Sequence, residues 1–154
     1  MLRPFLLASL PAAVLLCASP AAAQPAIRIQ GGAPVLTVSA ATPGNEPAPV
    51  SNAASQLRYR RQSATSKVTV TTACPGQKFT LQLVALNPDV GTAMPPVTLT
   101  DGMPPRDLVT GIPPGNPPFG RCVLQYTAAA TFAQGNSTEL GPDAHLVTFT
   151  LVAQ

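Results

Sequence analysis

From Thr65 onward the chain alternates apolar and polar positions with a period of two. In SKVTVTTAC, Val68, Val70, Thr72 and Cys74 share one side, and after Pro75-Gly76 a second side collects Phe79, Leu81, Leu83 and Ala85. The stretch CVLQYTAAATFAQ sets Cys122, Leu124, Tyr126, Ala128, Ala130 and Phe132 against Gln125, Thr127, Ala129 and Thr131. The ending HLVTFTLVAQ does the same with Val147, Phe149, Leu151 and Ala153. Successive side chains of a strand point to opposite faces, so this pattern predicts half-buried strands. The i, i+3, i+4, i+7 apolar spacing of an amphipathic helix does not recur over any useful length. Residues 67–154 are therefore expected to form an all-β domain, a single antiparallel β-sandwich.

Upstream the pattern weakens. AIRIQ and PVLTVSA read as short strands separated by Gly31-Gly32, and ATPGNEPAPVSNAAS is Pro/Gly/Asn-rich and linker-like. Residues 24–66 are expected to be a β-capable N-terminal arm on a tether. The arm pairs either with its own domain, as a first strand, or with a neighbouring molecule. In the second case Ile27, Ile29, Val35, Leu36 and Val38 are the candidate donor residues.

Between residues 95 and 118 lie four Pro-Pro pairs, in MPPVT, MPPRD, IPPGN and NPPFG. Proline cannot donate to a ladder, so no central strand crosses these pairs, and short strands fit only between them, at Val97–Thr100 and Asp107–Gly111. The pairs are read as stiff surface loop, with a polyproline ligand for another domain as the other reading. FAQGNSTELGPDA is a loop by composition and contains the sequon Asn136-Ser137-Thr138.

The first residues change the compartment. MLRPFLLASLPAAVLLCASPAAAQ has a basic start at Arg3, an apolar run to about Ala18 and an A-x-A cleavage site before Gln24. Residues 1–23 read as a secretory signal peptide, interrupted by Pro11 and so unlike a membrane span. Removing them leaves about 130 residues, a comfortable single domain. Cys17 leaves with the signal, and Cys74 and Cys122 remain. In an oxidising compartment that pair is expected to form a disulfide between two strands of the core. By loop-closure entropy such a bridge would stabilise the fold by roughly 4 kcal/mol. Antibody-type domains bury a Trp on their disulfide, and this chain has no Trp.

Charge and catalytic supply narrow the function. Once Arg3 is removed, eight basic residues face six acidic ones, too small an excess to imply nucleic acid or a membrane surface. His145 is the sole histidine, the cysteines lack C-x-x-C spacing, and no D-x-[DN]-x-[DN]-G string gathers the aspartates. No metal and no cofactor are therefore expected. There is no G-x-S-x-G, and no two carboxylates stand out as an acid/base pair. The expectation is no catalytic residue and no enzyme. Arg58, Tyr59, Arg60 and Arg61 form a basic cluster, read either as the guard of an exposed sheet edge or as a contact for polyanions.

The phrase SKVTVTTACPGQKFTLQLVA resembles the strand–cysteine–turn–strand of spore coat U-type and related chaperone–usher fimbrial domains. DAHLVTFTLVAQ is similar to their closing strand. The CPGQ and LQYTA phrases also look like those of a set of uncharacterised secreted bacterial proteins. The resemblance covers residues 65–154 and implies an immunoglobulin-like, pilin-like sandwich that polymerises by donating an N-terminal strand. The expected function is thus a non-enzymatic secreted structural protein, a subunit or surface component of an extracellular bacterial filament, coat or pilus-like assembly formed by strand pairing. The alternative is a monomeric secreted binding module for polysaccharide or protein. The expected partner is another copy or another extracellular protein, not nucleic acid, with no membrane insertion once the signal is removed. The expected location is the periplasm, the cell surface or the medium.

Overall fold

A computed structural model describes residues 26–39, 41–135 and 140–154. The expected signal segment and the Asn136-Ser137-Thr138 sequon lie outside the described residues. The described chain is all-β, apart from a 3-10 turn at Phe132–Gln134 and a helical residue at Leu140. Its strands are β1 (Ile27–Gln30), β2 (Val50–Arg60), β3 (Ser66–Ala73), β4 (Thr80–Leu86), β5 (Thr92–Ala93), β6 (Val97–Leu99), β7 (Arg106–Ile112), β8 (Phe119–Ala129) and β9 (Leu146–Ala153). They form two antiparallel sheets, ordered β1-β2-β8-β4-β6 and β5-β7-β3-β9.

The parity of the sequence becomes the inside of these sheets. Val68, Val70, Thr72 and Cys74 are buried, as are Leu83, Ala85, Cys122, Leu124 and Tyr126. Both sheets feed one core: Leu57, Tyr59, Leu83, Leu99 and Leu124 from the first meet Val68, Val70, Leu108, Val109 and Ile112 from the second. Each fully buried Leu or Ile contributes about 1.5–3 kcal/mol of transfer free energy. β6 and β7 fit between the Pro-Pro pairs, as proline's missing N–H requires.

The Pro75-Gly76 turn does not fold its strands into a hairpin. β3 and β4 lie in different sheets, and the turn carries the chain from one to the other. Gly76 takes φ +73°, and Gln77 N–H donates to the Cys74 carbonyl at 3.0 Å. The Gln77 amide donates on to the carbonyls of Phe79 and Leu99, both at 2.9 Å.

Two expectations change here. The Cys74–Cys122 bridge is not formed, and both cysteines are buried free thiols. Both do face the core, but at opposite ends of it. Cys74 follows β3 into the turn that leads to Thr80, which pairs with Ala129 at the far end of β8. Cys122 sits seven residues back along β8, opposite Leu57, which at about 3.3 Å per residue is on the order of 20 Å away. The second change concerns the arm. Val50–Ser55, read as linker, is the first half of an interior strand, Val50–Arg60, between β1 and β8; its second half, from the alternating QLRYRRQ, supplies Leu57 and Tyr59 to the core.

Candidate functional site

The donor candidates separate into two groups. Ile27 and Ile29 lie on β1, which pairs with the chain's own β2, Ile27 opposite Tyr59 and Ile29 opposite Leu57. The chain leaves β1 at Gly31, with φ +95°, where a Cβ would stand 2.4 Å from the Ala54 carbonyl oxygen, so only glycine fits. Residues 32–39 then run without a strand partner. Their burial alternates: Pro34, Leu36 and Val38 are half-buried while Val35, Thr37 and Ser39 are exposed. Leu36 packs against the core. Val35, Leu36 and Val38 thus form a strand-patterned segment outside both sheets.

The matching feature is the edge formed by β9. It pairs with β3 over its full length, from Leu146 opposite Ala73 to Ala153 opposite Ser66, and among the described residues no strand is hydrogen-bonded to its other side. Its sequence LVTFTLVA carries no charge and no proline. Edge strands are commonly protected by lysine, proline or a bulge, because unpaired N–H and C=O groups template further pairing. β9 has none of these, and Leu146 at its start is 71% exposed.

The basic cluster does not act as one unit, and its edge-guard reading fails because β2 is interior. Tyr59 is fully buried, and its hydroxyl donates to the Val90 carbonyl at 2.6 Å. Arg61 clamps the Pro-rich loop, donating to the carbonyls of Pro113 at 2.9 Å and Pro114 at 2.8 Å. Arg58 remains on the sheet surface and gains neighbours that sequence order hides. It is directly opposite Arg28 on one side and Arg121 on the other, so three arginines cross three adjacent strands in register. The Arg58 guanidinium lies 5.2 Å from the centre of the Phe119 ring. Arg121 meets one carboxylate, Asp89, at 3.5 Å.

The residues passed over for chemistry also converge. Cys74, Asp143 and His145 place their Sγ, carboxylate oxygen and ring nitrogen within 4.8 Å of one another. Burial, then the nearby Asp143, pushes the Cys74 thiol pKa up. Burial lowers that of His145, against the opposing pull of Asp143 and Asp101. The available signal was D-x-H, two residues apart in an extended run and so on one side of it. The register that adds Cys74 is not visible in one dimension. Among the described residues no helix is long and apolar enough to cross a membrane. Comparison of the chain with protein-family models, curated proteins and solved structures finds no match.

Proposed function

We propose that this is a non-enzymatic, secreted β-sandwich subunit of an extracellular bacterial assembly, joined to its neighbours by strand pairing. The observation that carries the reading is the uncharged, unprotected outer edge of β9. Residues 34–38 of a neighbouring copy are the partner. They have the alternation of a strand, no ladder of their own, and a Gly31-Gly32 pivot at positive φ before them. β1 stays with its own chain as an anchor. Backbone N–H and C=O groups would supply affinity, and the alternating side chains Pro34, Leu36 and Val38 the specificity. Secretion is supported by the basic start, apolar run and A-x-A of residues 1–23.

The test is size-exclusion chromatography with light scattering on Gln24–Gln154, beside Thr148→Lys/Thr150→Lys. Both threonines are exposed on β9, and paired lysines there disfavour an incoming strand without touching the core. Multimers are expected from the parent chain and monomers of unchanged circular dichroism from the variant. A parent chain that stays monomeric at high concentration, or a variant that multimerises equally, overturns the proposal.

The cross-strand arginine row favours a second reading, a binding face for acidic polysaccharide, since like charges placed directly opposite cost stability and need a reason.

A further inference from the structure

Three side chains with different metal-ligand chemistry meet where the chain enters β9. The β3–β9 ladder ends with Ala73 opposite Leu146, and one step further brings Cys74 opposite His145. Asp143 precedes His145 by two residues in an extended run whose burial alternates, so both lie on the same side of it. Cys74 is 2% exposed, and the other two are half-buried.

Each group is already held by a neighbour, leaving an atom available. One Asp143 oxygen accepts the backbone N–H groups of Lys78 at 2.9 Å and Phe79 at 2.7 Å, which leaves Oδ1 for another contact. His145 Nδ1 is 3.2 Å from the Thr72 hydroxyl, which leaves Nε2. Cys74 N–H donates to Asp101 Oδ1 at 2.7 Å, and Asp101 N–H donates to Gln77 Oε1 at 2.9 Å, so the backbone under the thiol is fixed. Outer partners of this kind orient the ligands of metal centres.

We propose that Cys74, Asp143 and His145 bind a zinc ion. One thiolate and one carboxylate balance a divalent cation, so the loaded site is neutral where it is buried. A mixed sulfur, nitrogen and oxygen set suits zinc, whose filled d shell imposes no geometry of its own, and three protein ligands leave one tetrahedral position for water. Tetrahedral zinc needs its ligand atoms about 3.3–3.8 Å apart. The ligand atoms lie within 4.8 Å of one another, so side-chain movement of about 1 Å brings them to that spacing. Binding would staple the entry of β9 to the exit of β3.

The probe is zinc chloride titrated calorimetrically into reduced, chelator-treated Gln24–Gln154, with cobalt(II) as spectroscopic substitute. One ion per chain is expected, with a thiolate-to-cobalt charge-transfer band in the near ultraviolet. Cys74→Ser should abolish that band, and Cys74→Ser and His145→Ala should each weaken zinc by about tenfold or more. Asp143→Asn keeps an acceptor for the Lys78 and Phe79 N–H groups, so its loss of affinity is separable from a loss of fold, which circular dichroism reads. Cys122→Ala, remote from the site, should leave the stoichiometry at one. No binding, a cobalt complex lacking the thiolate band, or zinc affinity unchanged in Cys74→Ser overturns the proposal.

Discussion

Gly120 and Tyr59 show how one missing side chain organises its surroundings. They face each other across β2 and β8, and a Cβ on Gly120 would stand 2.4 Å from Tyr59 Cε2 and 2.9 Å from Cζ. The ring therefore lies over the glycine, fully buried, and from there its hydroxyl reaches the Val90 carbonyl. Gly120→Ala must push the ring off that position and break the hydrogen bond. Overpacking and a lost buried bond together predict a cost of about 2 kcal/mol or more. Tyr59→Phe keeps the ring but strands the carbonyl, at a cost of about 1–2 kcal/mol. Urea unfolding midpoints measure both. A Gly120→Ala protein as stable as the parent would show that the ring is not confined there.

At the level of strands, the arginine row makes a prediction that separates function from stability. Arg28, Arg58 and Arg121 belong to three strands brought together by pairing alone. Like charges directly opposite each other destabilise a sheet by a few tenths of a kcal/mol or more. Arg28→Gln/Arg121→Gln should therefore leave melting temperature unchanged or raised, while the protein elutes from a sulfated polysaccharide column at clearly lower salt. Equal retention of the variant and the parent would remove the binding-face reading. The same row marks what the sequence could and could not disclose. Strand parity is a local property, and it placed Val68, Val70, Leu124 and Tyr126 inward from alternation alone. Register and sheet order are not local, so Arg28 and Arg121 were invisible as neighbours of Arg58, and the first half of β2, Val50–Ser55, passed for linker. The cysteines show the same division. Their inward direction was legible from parity, but their positions along the sheets depend on register, and register puts them at opposite ends.

Across the whole molecule, the buried proton-bearing groups share one dependence on pH. Burial, then the Asp89 carboxylate, pushes the Cys122 thiol up to about 12 from an ordinary value of 9. Burial pushes Tyr126 up to about 12 from 10. Tyr59 is raised as well, by burial first and then by the neighbouring Cys122 and Asp89, against the opposing Val90 hydrogen bond. All three stay protonated in the folded chain, whereas the unfolded chain releases these protons from about pH 9 upward. A raised folded pKa gives stability that is full below the unfolded value and lost as pH rises toward the folded one. Stability should thus be complete below about pH 9 and fall progressively toward pH 12, each group removing up to about 1.4 kcal/mol per pH unit once it ionises only in the unfolded chain. Urea midpoints taken from pH 8 upward should be flat at first and then decline. Cys122→Ala should shrink the earliest part of the decline, which the raised Cys74 thiol shares, and leave the part above pH 10, where the tyrosines act. The two free thiols give an independent check, because Gln24–Gln154 should yield two reactive thiols on unfolding without reductant. A profile flat up to about pH 10, declining only where the tyrosines act, together with no reactive thiol would mean that the cysteines are bridged and the buried-thiol account is wrong. Two thiols with a declining profile would tie the chain's alkaline sensitivity to the same core that joins its two sheets.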